Sequence, residues 1–451
     1  MYYVSIQQIL IELFLMKKIV LLTILLTNYI NAQCTDNVNI PDVNFKSYLV
    51  NNLSINTNND TEISCGEAIA FTGVMDVSDA MITDLTGVEA FVNIVELDCS
   101  DNQITSLDIS ANTVLRNLDC SFNQLTSLDV STNSALLNLS CSFNQISNLD
   151  ISNNTDLQDL FCSLNKLTNL DVSNNNNLKS LSCGSNDLES LDVSANTALI
   201  DLNCANSLIS DLNVLGVTSL ETLRCTNSKL ESLDISTNTS LIELYCDTNE
   251  LVNIDVSTNT ALEIFNCANN QIQSIDVSTN SELFLFRCNN NQVQSIDVSA
   301  NSELIILNCS DNELTNLNIA NGNNTNLSTV FSNFTSNNSL VCIQVDDTDY
   351  SDTNWSALKD VIASYQVDCN SLSTNDFTLK DFMVYPNPIK DNVTVQLNEE
   401  PEEVSIYTLS GKKVLSTSQK EITISNLQTG LYVIKVRTNN GNIMEKRIIK
   451  Q

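Results

Sequence analysis

Residues 115–135 read LRNLDCSFNQLTSLDVSTNSA. The same pattern returns every 21 residues, marked by Cys99, Cys120, Cys141, Cys162, Cys183, Cys204, Cys225, Cys246, Cys267, Cys288 and Cys309. A fixed repeat of this length belongs to a solenoid, in which each unit buries its apolar face against the next.

One unit can be read physically. Leu118, Asp119, Cys120 and Ser121 alternate apolar and polar, as a short strand with Leu and Cys inward requires. Asn123 follows where the chain must turn, and its amide can satisfy buried backbone groups of neighbouring coils. Leu125 and Leu128 re-enter the core, and Leu128 to Ser131 alternate again. Two extended segments leave little room for a helix. The expected coil is flattened, with two parallel sheets and few helices.

The motif L-x-x-L-x-C-x-x-N-x-L resembles the leucine-rich repeat, and L-D-V-S-x-N resembles its short bacterial 21-residue subclass. A variant coil precedes the cysteine run at Met75, Val77, Ile82 and Leu85. Another follows a longer insertion at Leu340, Cys342 and Ile343, giving about thirteen coils over residues 75–338 and a cap at 339–370, in which Trp355 to Ala363 are expected to form a short helix.

The chain has 451 residues and no histidine, which removes Ser-His-Asp triads and His-ligated zinc. Its net charge of −34 argues against nucleic acid as a partner. Residues 382–451 depart from this acidity, with nine Lys/Arg against seven Asp/Glu, which marks a separate domain. Lys17 and Lys18 before the apolar run Ile19–Leu26 read as an export signal over residues 1–32, with Met16 an alternative start and cleavage expected after Ala32. No later stretch is long and apolar enough to span a membrane.

Cysteine usage splits in two. The ladder cysteines sit at apolar strand positions and read as small core residues. Stacked side chains about 4.8 Å apart and parallel fit the disulfide torsion poorly. Cys34, Cys65, Cys342 and Cys369 flank the repeats, and in an exported chain the expected bridges are Cys34–Cys65 and Cys342–Cys369.

Residues 33–74 read as an N-terminal cap, with a helix over Asn44–Leu49 presenting Phe45, Tyr48 and Leu49. Asn56, Asn58, Asp60 and Glu67 then fall at positions 1, 3, 5 and 12 of a degenerate loop resembling the EF-hand, which implies calcium as its cofactor. Asn at position 1 and Thr61 in place of the turn glycine both weaken such a site.

Two asparagine ladders line the turns. One runs through Asn102, Asn123, Asn144 and their equivalents and is interrupted by Ser207 and Ser228. The other runs through Asn112, Asn133, Asn154 and onward and is interrupted by Val217. An outward aspartate ladder runs from Asp108 to Asp297 on the second strand. Neighbouring carboxylates repel, so adjacent serines or loosely bound divalent cations are expected to offset them.

Outward positions of the first strand carry the contacts of a repeat protein. Ile264, Leu285 and Ile306 should stack as an apolar stripe, with Arg224, Tyr245 and Arg287 beside it. Arg, aromatic and aliphatic residues on a rigid sheet are interface-like.

After a polar linker, 371–381, residues 382–451 alternate as strands of a small immunoglobulin-like β-sandwich. Tyr385-Pro386-Asn387-Pro388, Tyr407 with Ser410-Gly411-Lys412, Leu427 with Thr429-Gly430-Leu431-Tyr432, and Lys446 with Ile449-Lys450 resemble the C-terminal sorting domain of type IX secretion. That resemblance implies engagement of the secretion machinery, passage across the outer membrane, and release or surface attachment.

The expectation is therefore a secreted or cell-surface protein, adhesin-like, that binds a protein or glycan on a host or bacterial surface. A non-catalytic surface scaffold is the alternative. An enzyme is not expected, because the carboxylates form repeating ladders with no distinguished pair.

Overall fold

A computed structural model describes residues 36–369, 383–397, 401–409, 411–438 and 443–451. The expected export signal (1–32), Cys34 and the linker (371–381) lie outside the described residues. The chain divides into two compact units, through Asp368 and from Cys369 onward.

The first unit is a stack of coils. Three-residue strands repeat from Val74–Asp76 and Glu96–Asp98 to Leu285–Arg287 and Ile306–Asn308, forming one parallel sheet of twelve strands. Each pairs in register with the rung 21 or 22 residues away, as in Leu118↔Leu139 and Met75↔Leu97. Asn308 bridges to Asn333, and Phe334 N–H reaches Leu358 O, adding two further rungs. The inward leucines and all eleven ladder cysteines are buried in one continuous core that runs from Val38 to Tyr365. Both caps share that core.

The opposite side of the coil is less regular than two full sheets. There the segments form strands only at Ser190–Asp192 and Asp211–Asn213, and again at Ser295–Asp297, Asn316–Asn318, Cys342–Gln344 and Ser364–Gln366. An Asp-x-Ser turn recurs on this side with or without a strand: Asp129 Oδ1 accepts from Ser131 N–H at 2.9 Å, and Asp192 Oδ1 accepts from Ser194 N–H at 2.9 Å where a strand forms.

The N-terminal helix α1 spans Val43–Asn51 and buries Phe45 and Leu49, with Asp42 capping its start. Helix α2 spans Cys65–Ala70 and opens on a capping box between Ser64 and Glu67. At the other end the expected helix over Trp355–Ala363 is corrected. Helix α3 covers Thr348–Asn354, because Asp347 accepts from Tyr350 N–H and sets the start there. Trp355 closes that helix, fully buried against Phe334, Tyr350 and Tyr365, and Ser364–Gln366 supplies the terminal strand.

Cys65, Cys342 and Cys369 are disulfide-bonded, whereas the ladder cysteines are free thiols. Among the described residues no helix is long and apolar enough to cross a membrane.

The second unit is an antiparallel sandwich. One sheet orders Met383–Tyr385, Asn392–Gln396 and Glu421–Thr423. The other orders Lys413–Thr417, Pro401–Thr408, Gly430–Thr438 and Ile443–Lys450. Val393, Val395, Ile406, Ile434 and Ile448 fill the space between them. Asn387 fastens the last strand: its Oδ1 accepts from Ile449 N–H at 2.8 Å and its Nδ2 donates to Arg447 O at 3.2 Å.

Candidate interaction surface

The rigidity of the long sheet comes from its asparagines. Asn144 Nδ2 donates to Cys120 O at 2.9 Å and to Cys141 O at 3.1 Å, while its Oδ1 accepts from Leu125 N–H at 2.9 Å. One side chain thus joins its own coil to the one before it. The second ladder does so with its amide nitrogen alone, as in Asn154 to Val130 O (3.1 Å) and Asn133 O (2.9 Å). At the interruption Ser207 Oγ keeps one bond, to Cys204 O at 2.9 Å, and Ser228 Oγ is buried with no partner.

On this platform the expected stripe assembles. Ile264, Leu285 and Ile306 are consecutive partners in the sheet, each half-buried. Phe284 and Ile305 precede two of them and widen the apolar area. Arg224 pairs with Tyr245, and Arg287 lies between Asn266 and Asn308, in the second outward column.

The two arginines differ. Arg224 is held by Asp201 (Nη1–Oδ2 3.3 Å) and Glu243 (Nη2–Oε2 2.9 Å), with its guanidinium carbon 5.4 Å from the centre of the Tyr245 ring. Arg287 makes no ion pair with the described residues and stands beside the stripe with its donors unspent.

The candidate calcium loop takes another form. Glu67 Oε1 accepts from Thr57 N–H (2.8 Å), Thr57 Oγ1 (3.1 Å) and Asn58 N–H (3.1 Å). Its Oε2 accepts from Ser64 N–H (2.9 Å) and Ser64 Oγ (2.8 Å). Burial alone would raise its pKa, but these donors hold it far below the usual carboxylate range, at about 2. Asn56 donates to Val50 O and Asp60 O, and Asn58 to Asp60 Oδ2, so the polar side chains bond one another. Among the described residues no group of three His, Cys, Asp or Glu is placed to hold a metal ion. In this structure Asn56, Asn58, Asp60 and Glu67 form a hydrogen-bonded cap in which protein donors meet the Glu67 carboxylate from both sides.

The aspartate ladder is stabilised in the same manner. The serine hydroxyls, then their backbone N–H groups, hold Asp129, Asp150, Asp234 and Asp255 below the ordinary range. Asp192, Asp211 and Asp234 also line a shallow concavity with Leu215, where the ladders are interrupted.

Sequence reasoning missed an exposed apolar ridge. Phe122, Phe143 and Leu164 occupy equivalent places two residues after successive ladder cysteines, and each is more than 40% exposed. The signal lay in the repeat itself, since other rungs place Asp, Asn, Ser or Thr there.

Comparison with known proteins agrees with this architecture. Residues 383–450 match the secretion system C-terminal sorting domain, and a chain bearing that domain is exported by type IX secretion to the cell surface or beyond. The first unit is similar in structure to the internalin InlF of Listeria monocytogenes strain 4b F2365, with TM-score 0.55 and 21% identity over 68% of this chain and 96% of that one. The InlJ functional domain of Listeria monocytogenes, which includes a cysteine ladder, aligns with TM-score 0.45 and 23% identity over 94% of this chain and 98% of that one. A curated relative, the ulvan lyase NLR42 of Nonlabens ulvanivorans, is 30% identical over 110 residues, 22% of this chain and 21% of that protein. The chain thus spans about a fifth of the length of the curated relative it matches. The stacked coils are a leucine-rich-repeat solenoid, and the second unit is its sorting domain.

Proposed function

We propose that this protein is an adhesin-like binding protein, non-enzymatic, which engages a protein or glycan through the outward face of its long sheet. The observation that carries the reading is the in-register stripe Ile264–Leu285–Ile306 with Arg287, which has no ion-pair partner among the described residues, beside it. An apolar centre flanked by an arginine and Tyr245 has the composition of an interface, on a sheet whose asparagines fix its shape beforehand. Arg224 serves this face indirectly, by fixing the Tyr245 ring.

Catalysis finds little support in the side chains. The carboxylates recur as ladders satisfied by serine donors, and the ladder thiols are buried. The activity named for the ulvan lyase belongs to a protein of which this chain matches a fifth.

The test is an array of defined host-matrix proteins, mucins and bacterial surface polysaccharides probed with the purified mature chain. A ligand held by the wild type and lost in the Tyr245→Ala/Arg287→Ala variant supports the reading. Concentration-dependent self-association with no ligand on the array would favour a surface scaffold instead.

A further inference from the structure

The Phe122–Phe143–Leu164 ridge lies at the exit edge of the long sheet, several rungs from the Ile264–Ile306 stripe. Its backbone is the first observation. All three residues have positive φ, 52°, 56° and 56°. Bulky side chains disfavour this left-handed region, where Asn and Asp are at ease. Equivalent rungs obey that preference with Asn206, Asn227, Asn269 and Asn290. Three consecutive rungs instead hold large, partly exposed apolar side chains in this disfavoured conformation.

The second observation is how the rings stand. Phe122 and Phe143 stack with centroids 4.0 Å apart and planes 14° from parallel. Each ring spends one face on the other, which leaves less open ring face for a sugar and favours an apolar groove on a protein.

The third is charge. On the rung before the ridge stands Asp101, and Asp98 and Asp119 flank it on the sheet. Lys166 follows Leu164 by two residues and is hydrogen-bonded to Gln145 at 3.2 Å. A second copy of a chain with net charge −34 would bring like charges together around the ridge.

We propose that the Phe122–Phe143–Leu164 ridge is a second docking site, which inserts into an apolar groove rimmed by lysine or arginine on a partner protein. It is separate from the Arg287 face and does not depend on it.

The test uses the full mature chain and the Phe122→Asn/Phe143→Asn variant, which installs the residue that four other rungs carry at this place. The probes are an amphipathic helical peptide of leucine and lysine and its leucine–glutamate counterpart. The expected result is binding of the lysine peptide to the wild type, at least tenfold weaker binding to the variant, and no binding of the glutamate peptide. The variant should also melt at a higher temperature, because the strain is relieved. Equal binding of the lysine peptide to both proteins would overturn the proposal, reducing the attraction to bulk acidity. So would a lower melting temperature for the variant, which would make the rings structural. Dimerisation of the wild type in sedimentation, abolished in the variant, would assign the ridge to a second copy and likewise overturn it.

Discussion

Arg224 Nη2 sits 2.9 Å from Glu243 Oε2, one rung further along the sheet, while its Nη1 reaches back to Asp201. The guanidinium therefore spans three rungs and is already engaged. Arg287, two strands on from Tyr245, has no such partners among the described residues. Arg224→Ala should cost about 1 kcal/mol of stability, since both ion pairs are partly open to solvent. Arg287→Ala should leave the melting temperature unchanged and weaken ligand capture, and denaturation and binding curves on both variants separate the two roles.

Glu67 gives the N-terminal cap an acid limit. Its folded pKa, about 2, lies below the ordinary glutamate value, so the unfolded chain binds the proton first as pH falls. Its stabilising effect is complete above about pH 4.5 and disappears as pH falls towards 2. Glu67→Gln should be less stable than wild type at pH 7, with the gap closing below pH 4, as urea unfolding at a series of pH values would show. Millimolar calcium should leave the wild-type midpoint where it is.

The asparagine ladder predicts opposite effects at two rungs. Asn144→Ala strands Leu125 N–H, while Cys120 O and Cys141 O keep Asn123 and Asn165 as donors, and should cost about 2 kcal/mol. Ser228→Asn should gain about 1 kcal/mol, because it replaces an unpartnered hydroxyl with the side chain that other rungs use. Thermal melts of the two variants decide both.

The ladder thiols should be silent in the native state. Burial pushes Cys141 and Cys204 up to about 12, and Cys120 Sγ donates to Ser140 O at 3.5 Å. A colourless-to-yellow thiol reagent at pH 8 should detect no ladder cysteine until the chain unfolds, and then detect them together. Gradual reaction without unfolding would show that the column opens locally.

The periodic features were legible in the residues because a solenoid converts sequence spacing directly into contact. The stripe from Ile264 to Ile306, the bridging role of Asn144 and the serine donors on Asp129 all follow from the 21-residue register. The features that depend on backbone detail were not. Nothing in the letters shows that Phe122 adopts positive φ, that Asp201 reaches Arg224, or that only some second-side segments pair as strands. The loop at Asn56–Glu67 has the spacing of a metal site, yet the same spacing lets Glu67 collect backbone N–H groups. Helix α3 lies ahead of Trp355 because Asp347 is a stronger start signal than the apolar run after Trp355.

The column of free cysteines bears on how such a chain reaches the outside. Eleven thiols spaced along one polypeptide are many chances for wrong pairing once an oxidant is met, whereas only the flanking cysteines are meant to pair. The stack shields its thiols by closing over them, and that shielding exists only after the coils have assembled. Coiling must therefore outrun oxidation. A chain delayed at a poorly bonded rung such as Ser228 would emerge cross-linked instead of stacked, so the regularity of the ladder is also a matter of timing.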